Sequence, residues 1–133
     1  MYSTNKDVII AAYLHDVVED CGVSLSEIRR LFGCVVCGLV EMLTKISEKS
    51  DGCRCIRIEM DKLHLSTISQ EAMLIKIADI LDNTKDIVDA DRKFARLYLD
   101  EKINSVNIIG SRLDCEIVNL TMANLRYHKN RLK

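Results

Sequence analysis

Apolar residues recur along this chain at three- and four-residue intervals, the period of helices rather than of strands. Val8, Ile9, Ala12, Tyr13, Val17 and Val18 lay such a stripe over Lys6 to Asp20, with Ser3, Thr4 or Asn5 as its cap and Gly22 as its stop. Ser24 followed by Glu27 has capping-box spacing and opens a short helix that ends at Gly33. Cys34 to Ile46 carries the next stripe, Val35, Val36, Leu39, Val40 and Leu43, weakened only at Gly38. Ser47 to Cys55 has no apolar period and reads as an exposed loop. A short helix over Ile56 to Leu65 follows, and Ser69 then caps a long one in which Ala72, Leu74, Ile75, Ala78, Leu81 and Val88 face inward. Helices over 91–108 and 112–130 complete the chain. No fixed-period repeat and no Pro/Gly linker divides these elements, so residues 1–133 are expected to form one all-α bundle.

Composition supports that expectation. Prolines are absent, glycines number 5 and aromatics make up 5% of the 133 residues, which removes the usual punctuation of sandwiches and barrels. Nineteen basic residues against 20 acidic ones leave a net charge of −1, so no overall basic field gathers nucleic acid, and an anionic ligand must be held locally. No apolar run reaches the roughly 20 residues of a membrane span. The first residues lack a basic start and a cleavage site, and six cysteines without a secretory signal suit a reducing compartment, the cytoplasm.

Chemistry concentrates in Tyr13–Leu14–His15–Asp16–Val17–Val18–Glu19–Asp20, which sets four ionisable groups on a helix apolar enough to be buried. Buried charges need partners. Neighbouring residues do not share one face of an ideal helix, but near its inner edge His15 and Asp16 can reach a single cation, since imidazole nitrogen and carboxylate oxygen both suit divalent transition metals. Glu19 and Asp20 sit one turn further on, a spacing that fits ligands followed by water-activating acids or bases. Asp79 lies in the middle of the most apolar helix, with Lys76 three residues before it and Asn83 four after it, an amide and a cation suited to a polar, phosphorylated ligand.

The ordered set AAYLHDVVEDCG, then LFGCVVCGLVEMLTKI, then LIKIADILDNTKDI resembles the successive signatures of the HD-domain alarmone hydrolases, the RelA/SpoT-type (p)ppGpp 3′-pyrophosphohydrolases and their small single-domain relatives. The similarity runs from about Asp7 to about Leu99 and more weakly beyond. It implies an all-α HD-domain helical bundle in which His15, Asp16 and Asp79 hold a divalent metal, typically Mn²⁺. It further implies that Glu19 and Asp20 position the attacking water or assist the leaving group, and that Asn83 and Lys45 line the nucleotide site. The implied reaction hydrolyses guanosine 3′,5′-bis(diphosphate) to GDP and pyrophosphate. Two alternatives stay open: an HD phosphohydrolase of another nucleotide, reduced dinucleotide phosphates included, and a catalytically inactive HD domain that binds nucleotide or regulates.

The chain departs from the family pattern at one end. Such enzymes carry a further metal-binding histidine and basic nucleotide-holding residues before the HD helix, whereas here no histidine precedes His15 and Lys6 is the one basic residue. The expectation is an N-terminally short member whose uncovered apolar face favours a homodimer. Among the other candidates, Cys34-x-x-Cys37 and Cys53-x-Cys55 have part of a zinc spacing, but the first pair lies in an apolar stripe and the second is one residue too close. Cys21 and Cys115 read as packing residues and Phe32 as a buried ring. His64 reads as a boundary histidine, His128 as part of a solvated basic tail and Lys85 as a solvated helix residue.

Overall fold

The computed structural model describes residues 6–44, 49–90 and 92–132, and every regular element among them is helical. In order these are α1 (Lys6–Leu14), α2 (Val17–Cys21), α3 (Leu25–Phe32), α4 (Cys34–Leu43), a 3-10 turn (Lys49–Asp51), α5 (Arg54–Leu65), α6 (Gln70–Ala90), α7 (Arg92–Gly110) and α8 (Glu116–Arg131). None of the described helices is long and apolar enough to cross a membrane. The chain clusters into two compact units that part inside α6, between Ile75 and Lys76.

In the first unit α4 is the central element, with α1 and α3 both packed on it. Its Val36, Leu39 and Val40 are buried, as are Val8 and Ala11 of α1 and Ile28 of α3. Each such aliphatic side chain contributes roughly 1.5–3 kcal/mol of transfer free energy. The helix ends follow the local chemistry of the sequence. Ser24 Oγ accepts from the Glu27 backbone N–H at 3.2 Å and caps α3. Ser69 Oγ accepts from the Ala72 N–H at 3.2 Å at the start of α6. Gly22 closes α2 in the left-handed region, φ 68°, where its N–H returns to the Val17 carbonyl.

The second unit is built on an α7–α8 hairpin. Ala95, Leu99, Val106 and Ile109 on α7, and Ile117, Val118, Thr121 and Leu125 on α8, are buried at spacings that keep one stripe on each helix. The two buried hydroxyls have partners in their own helices: Thr84 Oγ1 donates to the Ile80 carbonyl at 2.6 Å and Thr121 Oγ1 to that of Ile117 at 2.7 Å.

Several expectations change. The helix predicted over Lys6 to Asp20 is broken at His15–Asp16. The stripe itself is narrower than predicted, with Tyr13 85% exposed. In α6 the buried residues are Ala72, Met73, Ile75, Ile77, Ile80 and Thr84, while Ala78 is exposed and Leu74 and Leu81 are half-buried; Val88 lies outside the described side chains. Four consecutive apolar residues, Ala72 to Ile75, leave the register of this helix ambiguous in the sequence. Phe32 is 42% exposed, because α3 ends at it and Gly33 turns the chain away into α4. Cys21 and Cys34 are exposed rather than packed, and Cys37 and Cys115 are half-buried, while Cys53 and Cys55 are exposed as expected of residues 47–55.

Candidate metal centre

The break after α1 is what makes His15 and Asp16 a usable pair. On an ideal helix adjacent side chains diverge by about 100°. Here the His15 Nδ1 lies 2.6 Å from the Ala12 carbonyl, the acceptor that a continuing α1 would have directed to the backbone N–H of Asp16. Asp16 takes up φ −97°, ψ −8° and becomes the N-cap of α2, with no side-chain cap hydrogen bond. Its carboxylate turns to His15 instead, placing Oδ2 3.2 Å from the imidazole Nε2.

Those two contacts fix the proton inventory. A carbonyl oxygen only accepts, so Nδ1 is the nitrogen that carries hydrogen, donating to Ala12. The Nε2 facing Asp16 is then either protonated, giving an ion pair, or bare and able to share a cation with the carboxylate. Backbone anchoring of one ring nitrogen while the other faces outward is the arrangement that orients metal-ligating histidines. Two ligands at about 2.1 Å and a right angle around a cation stand about 3.0 Å apart, close to the 3.2 Å between Nε2 and Oδ2. The pair therefore fits a divalent ion. Its side chains are unequally covered, His15 20% and Asp16 56% exposed, so the carboxylate sits on the wet side.

In the second unit Asp79 is half-buried on α6, and Asn83 Nδ2, one turn later, donates to its Oδ1 at 3.2 Å. Lys76 is half-buried one turn before. Tyr98 of α7 lies within electrostatic reach of Asp79. Burial pushes the Tyr98 phenol up to about 12, the Asp79 carboxylate acts in the same direction, and a hydrogen bond with Thr84 opposes both. Tyr98 also stacks at a tilt on Phe94, centroids 6.4 Å apart, with Lys102 Nζ 5.4 Å from its ring centroid. Tyr98 belongs to none of the motifs above; its signal in the sequence is Phe94-x-x-x-Tyr98-x-x-x-Lys102, one face of a helix.

By chemistry, His15 and Asp16 in the first unit and Asp79 in the second supply one imidazole and two carboxylates, donor types suited to a divalent metal, each offering one ligand atom. The expectation of four ionisable groups on a buried helix is corrected: Asp16, Glu19 and Asp20 are exposed and only His15 is half-buried. The reason is the break, which leaves α2 a five-residue helix with no buried residue. Glu19 and Asp20 lie in its first turn, where carboxylates also complement the helix dipole. Lys45 lies outside the described residues, and the Lys85 side chain outside the described side chains. His64 donates from Nε2 to the Met42 carbonyl at 2.8 Å, which accounts for it as a boundary histidine. His128 is half-buried, edge-on to Tyr127.

Comparison with known proteins places this geometry in a family. The HD-domain family model matches residues 2–106. The chain is 44% identical over 86 residues to the Drosophila melanogaster guanosine-3′,5′-bis(diphosphate) 3′-pyrophosphohydrolase MESH1, a match that takes in 63% of this chain and 45% of the fly protein. It is 31% identical over 113 residues to the Spiroplasma citri guanosine-3′,5′-bis(diphosphate) 3′-pyrophosphohydrolase, covering 83% of this chain and 15% of that one. The chain thus spans less than half the length of these curated relatives. Among solved structures, a metazoan orthologue of SpoT described as hydrolysing ppGpp superposes with a TM-score of 0.79 at 29% identity, over 98% of this chain and 73% of that chain. A Listeria monocytogenes protein shares the fold at TM-score 0.74 and 20% identity, over 96% and 90% of the two chains. With its His-Asp dipeptide set in a turn between two helices and a family match over most of its length, the chain belongs to the HD-domain family.

Proposed function

We propose that this chain is a metal-dependent hydrolase of guanosine 3′,5′-bis(diphosphate), releasing pyrophosphate and leaving GDP. The observation that carries the reading is the His15–Asp16 turn, an anchored imidazole against a carboxylate, in a chain similar to proteins named for that reaction. His15 through Nε2, Asp16 and Asp79 hold one divalent cation, and Mn²⁺ is the ion we assign to it. When bound, the cation lowers the pKa of a water and offsets charge on the phosphoryl oxygens.

The protein's own groups do the rest. The Ala12 carbonyl keeps the His15 ring in one tautomer and one orientation. The Asn83 amide holds one oxygen of Asp79, and on its exposed side it faces the nucleotide. Glu19 and Asp20, on the exposed turn that follows the metal pair, take the proton of the attacking water and supply one to the departing 3′ oxygen. The balance is one water consumed, one phosphorus–oxygen bond broken and one pyrophosphate released. A single catalytic domain over residues 1–133, a cytoplasmic location and association into a homodimer belong to the same reading, the last checked by sizing at several protein concentrations.

The direct test is pyrophosphate release from ppGpp by the full chain, with and without Mn²⁺, beside a His15→Ala variant. Mn²⁺-dependent release lost in the variant is the expected result. Folded protein that binds the nucleotide without releasing pyrophosphate at high enzyme concentration would replace the hydrolase with a nucleotide-binding module.

A further inference from the structure

A second cluster of reactive groups lies in the first unit and shares no residue with those assigned to hydrolysis. Cys53 and Cys55 stand at the start of α5, both exposed and both free thiols. Cys53 is the N-cap of the helix, in extended conformation at φ −67°, ψ 167°, and Gly52 before it, at φ 135°, turns the incoming chain. Arg54, the residue between them, is the first of α5. Two residues flanking a helical one have Cα atoms about 5.4 Å apart. That lies within the roughly 4.4–6.8 Å over which disulfides close, so the backbone already has the required separation.

The two thiols also act on each other. Cys55 is the first cause holding the Cys53 thiol below its ordinary value. Cys53 is in turn the first cause raising the Cys55 thiol. The two chemically identical groups are thereby made unequal, one inclined to be thiolate and the other to keep its proton. Cys34 is the instructive contrast. It too is exposed and accepts from Arg29 Nε at 3.4 Å, but Cys37, the nearest thiol in sequence, donates to the Leu25 carbonyl at 3.3 Å and is turned elsewhere. Among the described residues, only one group of three or more metal-ligating side chains occurs and it contains no cysteine, so these thiols do not make a multi-cysteine zinc centre.

We propose that Cys53 and Cys55 are a peroxide-sensitive dithiol in which Cys53 is the attacking sulfur and Cys55 the resolving one. The Cys53 thiolate attacks a hydroperoxide, the O–O bond breaks, and the sulfur leaves as sulfenic acid while the hydroperoxide becomes water or an alcohol after taking a proton. The Cys55 sulfur then attacks the sulfenic sulfur, a second water departs carrying the Cys55 proton, and the disulfide closes across Arg54. Two electrons pass from the dithiol to one peroxide, and a small thiol returns the pair to its starting state. Solvent exposure, a favoured thiolate and an adjacent resolving thiol are the features that set redox-sensitive cysteines apart from inert buried ones.

Trypsin gives a clean readout, because Arg54 separates the two cysteines and Lys49 and Arg57 flank them. Full-length protein is treated with equimolar hydrogen peroxide, its remaining thiols are alkylated, and the digest is weighed by mass spectrometry. The expected product is peptide 50–54 disulfide-linked to peptide 55–57, separated by reductant. Cys55→Ser should instead accumulate a sulfenic acid at Cys53 that dimedone traps, and Cys53→Ser should slow peroxide consumption several-fold, while Cys34→Ser changes neither. Unlinked peptides in the wild type, or Cys34 and Cys21 oxidised as fast as Cys53, would overturn the proposal. None of these residues enters the hydrolysis, so either outcome is independent of ppGpp turnover.

Discussion

The two groups of residues proposed as metal ligands are assembled by opposite means. Around His15 and Asp16 the backbone yields: α1 stops, the imidazole takes a carbonyl, and two adjacent side chains that a helix would splay apart meet at 3.2 Å. Around Asp79 nothing yields: α6 runs unbroken from Gln70 to Ala90, and Asn83 reaches Asp79 by the ordinary one-turn spacing. Polar groups in the first case are organised by deformation of the chain, and in the second by side chains laid along an unbroken helix. The first kind of site is set by one imidazole contact, the second by the helix as a whole.

The strongest way to break this comparison is to remove a donor from each group. Asp79→Asn keeps the shape of α6 and a partner for Asn83 while removing a charge, so the fold is expected to hold. Mn²⁺ stoichiometry and pyrophosphate release should both fall by at least about 100-fold, beyond the usual effect of losing an orienting residue. His15→Ala should do the same and in addition loosen the turn, since the Ala12 carbonyl loses its donor. Circular dichroism and metal content measured together separate the two effects. Unchanged metal content in Asp79→Asn would remove Asp79 from the ligand set.

Asn83→Ala ranks next. It removes the donor to Asp79 Oδ1 without touching a proposed ligand, and a fall in Mn²⁺ affinity of about 10-fold is expected of an orienting group. Titration of the metal by calorimetry decides whether the asparagine positions the carboxylate or serves the nucleotide alone. In the second case affinity for metal stays level and only the KM for ppGpp rises.

How much of this could be read beforehand follows from the same contrast. Asp79 and Asn83 were legible, because their relation depends only on the 3.6-residue period. So were the caps at Ser24 and Ser69 and the stops at Gly22 and Gly33, each a local preference with a local cause. The break at His15 was not, since no Pro or Gly marks it and the residues around it have helical spacing; the contact between His15 Nδ1 and the Ala12 carbonyl decides it. Exposure of the acidic pair and of Cys21 follows from that break. The register of α6 was obscured for another reason: apolar residues in direct succession leave more than one face able to be buried, and tertiary packing chooses.

Two glycines of the first unit sharpen the contrast between yielding and unbroken backbone, at a smaller scale. Both have open space where a Cβ would go. Gly22 ends α2 at φ 68°, so Gly22→Ala meets no clash yet should cost about 1–2 kcal/mol of stability from backbone strain alone. Gly38 lies inside α4, so Gly38→Ala should add about 0.5–1 kcal/mol by restricting the unfolded chain and favouring helix. Urea midpoints of the two variants should therefore shift in opposite directions. Shifts of one sign would mean that packing, not backbone conformation, governs these positions.

The smallest effect concerns Tyr98 and reads the second group directly. Its phenol titrates near 10 in the unfolded chain and about 12 in the folded one. Between those values the unfolded state gives up the proton first and binds fewer protons than the native state, so stability falls as pH rises from about 10 to about 12 and is insensitive to this group below 10. Other groups titrate in the same window, which makes the informative quantity the difference between wild type and Tyr98→Phe. The wild type should lose urea stability more steeply over that range, and its phenolate absorbance should show one tyrosine appearing late that the variant lacks. Asp79→Asn supplies the cross-check: with the carboxylate charge gone, the late tyrosine should move back toward 10 while remaining above it, because burial is the larger cause and is untouched. A late tyrosine indifferent to Asp79→Asn would place the phenol out of electrostatic reach of the carboxylate and leave Asn83 as the group that orients Asp79.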